Sequence, residues 1–302
     1  MELRQLRHFV AVVETGNLTR AAGRIPISQP ALTRSIRNLE QRMRVELLER
    51  NPRGVTPTAA GVQFYKHAKI VLNECSRITN NMSEFRRGTG GTVRVGIAAM
   101  FSRYVIDQAA LEVSESHPKL AMVIRLGLFE DLVGELEDGR LDLVFSNLPP
   151  VSLPSALDVE VLGQVHSAVV ANSRHPLAKR RKVEQSELVD AKWVVIDQPH
   201  AHDFLDTFFS GANLPTPPYV VRTNSLALIQ ALISSGEFLS VMPLHMVAAE
   251  ISAGTVRQLA VEHGTVERAA ALLSRRGTPI PAAAQPLMEA IRGVAQRVMP
   301  QS

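Results

Sequence analysis

One face of a predicted helix carries Gln29, Thr33, Arg34 and Arg37. A glutamine amide can pair with adenine through two hydrogen bonds, and a guanidinium can pair with guanine in the same way. The opposite face is apolar at helical spacing, with Leu32, Ile36, Leu39 and Met43. The pattern predicts an amphipathic helix whose polar face is suited to reading base edges.

Two shorter segments are predicted to position this helix. Apolar residues at helical spacing favour a first helix over about residues 3–15, which ends at Gly16. Asn17 is suited to cap a short second helix, and Pro26 then interrupts the chain. Ser28 is suited to cap the polar helix, which tolerates Pro30 in its first turn. This order of elements is that of a helix-turn-helix.

A turn rich in proline and glycine follows over residues 51–57. Its flanks are suited to a small hairpin, or wing. At the tip of that hairpin, Arg53 would be within reach of a phosphate or the minor groove.

Basic charge is concentrated in the first part of the chain. Residues 1–88 hold 15 Lys and Arg against 7 Asp and Glu, a balance of 15 − 7 = +8. Residues 89–302 hold 18 against 22, a balance of 18 − 22 = −4. This asymmetry indicates an amino-terminal module that meets a polyanion, nucleic acid above all, although charge alone fits a solvated basic face equally well.

The region from Leu6 to Gly61 resembles the winged helix-turn-helix of LysR-type transcriptional regulators. The matching segments are Phe9-Val10-Ala11-Val12, Asn17-Leu18-Thr19-Arg20-Ala21-Ala22, Ser28-Gln29-Pro30-Ala31-Leu32-Thr33-Arg34, Leu39-Glu40, Leu47-Leu48-Glu49-Arg50 and Thr58-Ala59-Ala60-Gly61. The resemblance implies DNA contacts from Gln29, Pro30, Thr33 and Arg34 on the recognition helix and from Arg53 on the wing, with Arg37 on the same outer face. Pro26 and Arg44 depart from the family pattern, and both affect corner geometry only.

A long helix is predicted after the wing, because the chain lacks proline from Thr58 to about Arg87. Apolar residues recur every 3.5 residues in this segment, at Phe64, Ala68, Val71, Cys75, Ile78, Met82 and Phe85. That period is typical of a coiled-coil seam, and its simplest partner is the same helix of a second copy. Cys75 lies within the seam, where a packed small residue is favoured over a redox switch.

Strand-like and helix-like segments alternate through the rest of the chain, which favours an α/β body with mainly parallel sheets. The predicted strands are Val93 to Ala98, Ala121 to Leu126, Leu141 to Phe145, Trp193 to Ile196, Val220 to Thr223 and Phe238 to Met242. The predicted helices are Tyr104 to Ser116, Phe129 to Gly139, Ser225 to Ser235 and Pro286 to Val298. A ligand is expected in a cleft beyond the carboxyl ends of strands.

The body resembles, more weakly, the effector domain of LysR-type proteins, which has the two-lobed fold of periplasmic binding proteins. Supporting segments are Val93-Arg94-Val95-Gly96, Leu136 to Leu143, His175-Pro176-Leu177-Ala178 and Gly236 to Pro243. The resemblance implies a winged helix-turn-helix at 1–58, a linker helix at 59–88 and an effector domain at 89–302. Its first lobe spans about 92–162 and 268–302, and its second about 163–267, with crossings near Leu162 to Ser167 and Gly264 to Arg268.

The same layout implies an effector site. Its residues are Met100, Phe101, Phe129, Asn147, His202, Asp203, Phe204 and Thr223. Relatives that bind aromatic acids often have small hydroxyl residues at the positions of Met100 and Phe129, so a carboxylate would meet fewer donors here. An aromatic or other partly apolar organic effector is favoured, and an apolar pocket without a ligand stays open as an alternative.

Other function classes lack their sequence signals. No nucleophile elbow or phosphate-binding glycine loop is present, so neither an enzyme nor a cofactor is predicted. His200, His202 and Asp203 invite a metal site, but a loop that binds no metal is favoured because no further ligand is placed by the spacing. A solute-binding protein would leave the first 88 residues unexplained.

The composition, 45% hydrophobic and 21% charged, is that of a folded globular protein. No apolar run approaches the ~18 residues of a membrane span, and no secretory signal is evident, so a cytoplasmic location without membrane contact is expected. The family resemblance implies a regulator of transcription that binds double-stranded DNA at an interrupted inverted repeat. It further implies a homodimer through the linker helix, a homotetramer, a small-molecule effector and contact with RNA polymerase.

Overall fold

The computed structural model describes residues 1–51, 54–87, 90–197 and 199–299. For residues 80–81, 83–87, 199–204 and 219–220 the structure describes the backbone only. The chain divides into two compact units. The first unit is Met1–Gly91 with Glu137–Leu141, and the second is Thr92–Leu136 with Asp142–Ser302.

The first unit contains a winged helix-turn-helix followed by a long helix. Its elements are α1 (Leu3–Thr15), α2 (Leu18–Arg24), α3 (Gln29–Met43), β1 (Leu48–Asn51), β2 (Gly54–Pro57) and α4 (Ala59–Arg87). These bounds confirm the helices and the hairpin that the sequence predicted. The proposed wing residue Arg53 lies outside the described residues.

Local side-chain caps explain where these helices begin and end. The Asn17 side chain accepts hydrogen bonds from the backbone N–H groups of Thr19 and Arg20, and the Ser28 hydroxyl accepts one from Ala31. Gly16, with φ of 62°, ends α1 in the left-handed region that glycine favours. The two side-chain caps, Asn17 and Ser28, are those predicted from the sequence.

Contacts between distant residues fix the wing and the recognition helix α3 to the module. The Glu40 carboxylate, on α3, accepts hydrogen bonds from the backbone N–H groups of Leu47 and Leu48, at 2.9 and 3.1 Å. The imidazole Nδ1 of His8, on α1, lies 2.7 Å from the hydroxyl of Ser35 on α3. A core of nine buried apolar residues lies beneath these contacts, namely Phe9, Val12, Ala21, Leu32, Ile36, Leu39, Leu47, Leu48 and Val55.

The second unit is an α/β body. Its elements are β3 (Thr92–Ala98), α5 (Ile106–Ser116), β4 (Ala121–Gly127), α6 (Phe129–Glu137), β5 (Leu143–Asn147), β6 (Leu157–Asn172), β7 (Lys192–Ile196), α7 (Pro199–Ser210), β8 (Tyr219–Thr223), α8 (Leu226–Ser235), β9 (Phe238–Pro243), α9 (Ala248–Ser252), β10 (Val256–Gln258), β11 (Thr265–Arg275) and α10 (Gln285–Val298). Within the described residues, nine of these strands form one sheet in the order β4-β3-β5-β11-β6-β9-β7-β8, with β10 paired to β6.

The expectation of mainly parallel sheets is wrong in the middle of this sheet. Parallel pairs join β3 to β4 and β5, and β7 to β8 and β9. Between them, β6 and β11 run antiparallel to each other and to their neighbours. Neither strand was among those predicted from the sequence, and β11 contains a run of alanines, which have low strand propensity.

Two groups of core residues lie at the two ends of the sheet. At one end, β3, β5, α5 and α10 enclose a core that includes Val95, Phe101, Phe145 and Ile291. At the other end, β7, β9, α7 and α8 carry the buried residues of two further clusters, including Trp193, Phe209, Ile229 and Met242. None of the helices in the described ranges combines the length and apolarity that a membrane span requires.

Candidate DNA interface and ligand cavity

The recognition helix presents its predicted DNA-contacting residues to solvent. Gln29, Pro30, Arg34 and Arg37 are exposed on α3. Within the described residues, neither arginine has an ion pair or hydrogen bond with another side chain. Their guanidinium groups are therefore available to bases or phosphates.

Thr33 is placed differently from the arginines. Its side chain is half-buried, and its Oγ1 atom is buried without a hydrogen-bond partner in the described part of the chain. A hydrogen bond from this hydroxyl to DNA requires a change of side-chain rotamer. The arginines need no such change.

The predicted seam on α4 is divided between two environments. Phe64 packs on the module itself, with its ring centroid 5.0 Å from that of Phe9 and the rings nearly perpendicular, and Ala68 is buried. Further along the helix, Val71, Ile78 and Met82 are exposed, the last two by 56% and 57%. Cys75 is half-buried, and the side chain of Phe85 lies outside the described part.

A cavity of about 130 Å³ lies in the α/β body. An apolar cavity of this order can hold a benzene-sized molecule. Most of its lining is apolar, and the residues are Ala98, Ala99, Met100, Phe129, Glu130, Ser146, Asn147, Pro149, Pro150, Ser167, Ile196, Leu226, Ile229, Val241, Met242, Pro243, Met246, Val266 and Arg268. The lining comes from both ends of the sheet and from the crossing strands β6 and β11.

The cavity brings together three of the eight residues predicted for the effector site, Met100, Phe129 and Asn147. Phe101 is fully buried in the core, with its ring 4.4 Å from that of Phe145, and it is not part of the lining. Thr223 is also outside the lining, and its hydroxyl accepts a hydrogen bond from the Ser225 N–H.

The remaining three predicted residues, His202, Asp203 and Phe204, belong to α7, and their side chains are outside the described part. The expectation that His200, His202 and Asp203 form a loop is wrong. Pro199 is a favoured first residue of a helix, and Leu205, Phe208 and Phe209 anchor that helix in the core. No cluster of three metal-binding side chains is found among the residues described.

Sequence reasoning missed several polar groups of the cavity. Ser146, Ser167 and Arg268 line it, from β5, β6 and β11 respectively. Ser167 and Arg268 are the last residues of the two predicted crossings between lobes. That position was the sequence signal that could have identified them as cavity residues. Their meeting depends on antiparallel pairing of residues about 100 positions apart in sequence, which no local pattern reports.

His245 joins the two ends of the sheet beside the cavity. Its Nε2 atom lies 3.1 Å from the carbonyl oxygen of Met100, and its ring stacks on Phe101 with 5.7 Å between centroids. Burial lowers the pKa of His245, and the hydrogen bond to Met100 partly opposes that shift. The imidazole is therefore neutral at pH 7, with Nε2–H as the donor to the carbonyl.

We expect the protein to lose stability below about pH 6.5 partly through His245. The unfolded chain binds a proton on this side chain at its ordinary pKa of about 6.5, whereas the folded chain resists the proton. The contribution of the neutral imidazole is present above that pH and is lost as the pH falls through the lowered pKa of the folded protein.

Chemical denaturation at several pH values between about 7.5 and about 5.5 measures this slope. His245→Gln should show a shallower loss of unfolding free energy than the parent protein. His117→Gln is the matched control, because His117 is exposed in the same unit. Equal slopes for the parent and His245→Gln would contradict the assignment.

The fold and the two sites define a class of protein. These are a winged helix-turn-helix whose recognition-helix arginines have no ion pair among the described residues, and a body with a small, mainly apolar cavity. Together they are the parts of a DNA-binding regulator that responds to a ligand.

The family is shown by comparison with known proteins. The "LysR substrate binding domain" family matches residues 86–296, and the "bacterial regulatory helix-turn-helix protein, lysR family" matches residues 3–62. The chain belongs to the LysR family of bacterial transcriptional regulators.

Individual relatives are similar to this chain over most of its length. The SDS degradation transcriptional activation protein of a Pseudomonas species is 29% identical over 295 residues, which are 97% of this chain and 95% of the relative. The transcriptional regulator BenM of Acinetobacter baylyi is 32% identical over 253 residues, 80% of each protein. A full-length OxyR variant from Pseudomonas aeruginosa has a similar fold, with a TM-score of 0.66 at 23% identity over 100% of this chain and 98% of that one.

Proposed function

We propose that the protein regulates transcription by binding an interrupted inverted repeat as a dimer, in a manner controlled by a small organic effector. The observation that carries the DNA part is the pair Arg34 and Arg37, which are exposed on α3 without ion-pair partners among the described residues. Gln29 and Pro30 lie on the same surface. Thr33 and Arg53 stay in the proposal on the family resemblance alone.

Dimerisation through α4 is supported by its exposed apolar residues Val71, Ile78 and Met82. Single exposed apolar residues are common, but three at seam spacing favour a partner helix. Phe64 packs on the module of its own chain and Ala68 is already buried, so we place the intermolecular contact from Val71 onward, through Cys75, Ile78, Met82 and Phe85.

A tetramer needs a second apolar surface, and the body offers one candidate. Leu111 on α5 is 63% exposed, and Leu126 on the edge strand β4 is 57% exposed, with Val123 and Ile124 also exposed on that strand. Unpaired edges with exposed apolar side chains favour association. We propose this surface for the assembly of dimers.

The effector is proposed to be small and partly apolar, in keeping with the cavity volume and its mainly apolar lining. Met100, Phe129 and Asn147 are the predicted residues that would contact it. Occupation would favour one arrangement of the subunits over another and so change the bend of the DNA or the recruitment of RNA polymerase. Because the family is bacterial and acts on DNA, we place the protein in the cytoplasm.

Replacing Arg34 by alanine should reduce affinity for the cognate site by ~1 to 3 kcal/mol and relax base choice, because a base-reading guanidinium is removed. Fluorescence anisotropy over a salt series, with DNA from upstream of the protein's own gene and a scrambled duplex, measures both effects. Lys119→Ala is the control, since it removes one exposed positive charge from the body instead.

Two results would contradict this proposal. Undiminished discrimination by Arg34→Ala would show that α3 is not the base-reading element. Failure of the parent protein to bind any DNA at low salt would remove the regulatory function altogether, because even nonspecific contact with phosphates is strong there.

A further inference from the structure

Among the described residues, Arg268 is a cation of the cavity lining that has no ion-pair partner. Arg268 is half-buried on β11, two residues after Val266, and both line the cavity because alternate residues of a strand share a face. Within the described residues, the guanidinium makes one hydrogen bond, from Nη1 to the carbonyl oxygen of Glu267 at 3.1 Å, and it has no ion pair. Four of its five N–H donors are left for other partners.

Several other arginines of the body are paired with carboxylates. Arg292 donates from Nε and Nη2 to the two carboxylate oxygens of Glu160, at 2.7 and 2.8 Å. Arg276 bonds Asp158 at 2.9 Å, and Arg297 bonds Glu112 at 2.6 Å. A lone cation beside an apolar cavity loses hydration without compensation, and an anion that enters the cavity would restore it.

Neutral polar groups lie near Arg268 in the cavity lining. Ser167 of β6 is paired directly with Val266 of β11, and both line the cavity. The backbone N–H of Leu148 bonds the carbonyl oxygen of Ala269 at 2.8 Å, which holds the segment after Asn147 alongside Arg268. The hydroxyl of Ser167 and the amide of Asn147 are therefore available near the guanidinium as further donors.

The opposite part of the lining is apolar. It includes Met100, Phe129, Ile229, Met242 and Met246. Glu130, the one acidic side chain of the described lining, is exposed on α6 and already interacts within the chain. The cavity thus separates a cationic wall from an apolar one.

We infer that the effector is a small organic monocarboxylate, whose carboxylate binds Arg268 and whose apolar body packs against the methionines and Phe129. The inference rests on the proposed function, since it names the ligand of that regulator. Carboxylate and guanidinium match in geometry as well as charge, and such paired hydrogen bonds are among the stronger ones in proteins. The sequence had indicated few donors for a carboxylate, because it did not bring Arg268 to the site.

Matched acids and amides test the inference with the purified full chain. The probes are benzoate with benzamide and hexanoate with hexanamide, each titrated calorimetrically to about 10 mM, beyond a Kd of about 1 mM. At least one acid should bind at least about tenfold more tightly than its amide, because only the acid carries the charge.

Variants of Arg268 test whether its guanidinium is the group that binds the carboxylate. Arg268→Gln should weaken binding of that acid by about tenfold or more and leave its amide unchanged, whereas Arg268→Lys should retain part of the preference. Arg181→Gln is the control, because Arg181 is an exposed arginine outside the cavity lining. It should bind as the parent protein does.

Three results would overturn the inference. These are equal binding of acid and amide, unchanged binding of the acid by Arg268→Gln, and no binding of either acid. DNA discrimination, measured on the same preparations, separates these results from the proposed function. A parent protein that discriminates between DNA sequences but takes no acid keeps the regulatory function and refutes only the ligand class.

Discussion

Replacing Gly61 by alanine should destabilise the amino-terminal module by about 3 kcal/mol or more, although Gly→Ala in a helix ordinarily stabilises by about 1 kcal/mol. Gly61 lies in the first turn of α4. A Cβ atom built on it would stand 1.9 Å from the carbonyl oxygen of Leu47 and 3.2 Å from the Cβ of Pro57. Leu47 is 1% exposed, and its carbonyl also accepts a hydrogen bond from the Thr58 N–H, so the backbone has no room to move.

Urea unfolding followed by circular dichroism measures the change, and DNA binding of Gly61→Ala should be lost with the fold of the module. The matched control is Gly23→Ala in α2, where an added Cβ meets nothing within 4 Å. That variant should keep or slightly raise the stability. Equal stability of Gly61→Ala and the parent protein would contradict the close approach of α4 to Leu47.

Replacing Ile78 by glutamate should separate the dimer, raising its Kd by about 100-fold or more. Ile78 is 56% exposed, so the change leaves the fold of one copy intact. In the proposed dimer it removes two apolar side chains from the seam and places two like charges in it. Affinity for an inverted repeat should fall in parallel, because two linked recognition helices bind more tightly than one.

Sedimentation velocity over a concentration series measures the dimer. Ser76→Glu adds the same charge to an exposed position of α4 off the seam, where the Ser76 hydroxyl donates a hydrogen bond to the carbonyl oxygen of Leu72. This control should remain dimeric. If Ile78→Glu sediments as the parent protein does, subunits associate elsewhere and the exposed residues of α4 need another explanation.

Local signals were sufficient to predict the amino-terminal module. The bounds of α1 and α3 follow from Gly16, Ser28 and the apolar stripe, all of which act within a few residues of themselves. The seam of α4 shows the limit of such signals. A period of 3.5 residues marks an apolar face, but it does not tell whether Phe64 meets its own module or another chain.

The body was predicted only where its strands follow a local pattern. The strand β3 is apolar and β-branched, whereas β11 passes through Glu267, Arg268 and three alanines, so its place in the sheet depends on partners far away in sequence. For the same reason the resemblance supplied Met100, Phe129 and Asn147 but not Arg268. Side chains brought together by long-range pairing are the ones that sequence patterns do not report.

The ribosome makes the carboxyl-terminal helix α10 last, and this order determines when the body can fold. Leu287, Met288 and Ile291 of α10 share one core with Val93 and Val95 of β3, about 200 residues earlier. That core cannot close until synthesis is nearly complete, whereas the winged module is made first and has a core of its own. A nonsense mutation before Gln285 would therefore release a product with an intact DNA-binding module and an unfinished body. In a cell that also makes the full protein, such a fragment would compete for the same operator without answering to the effector.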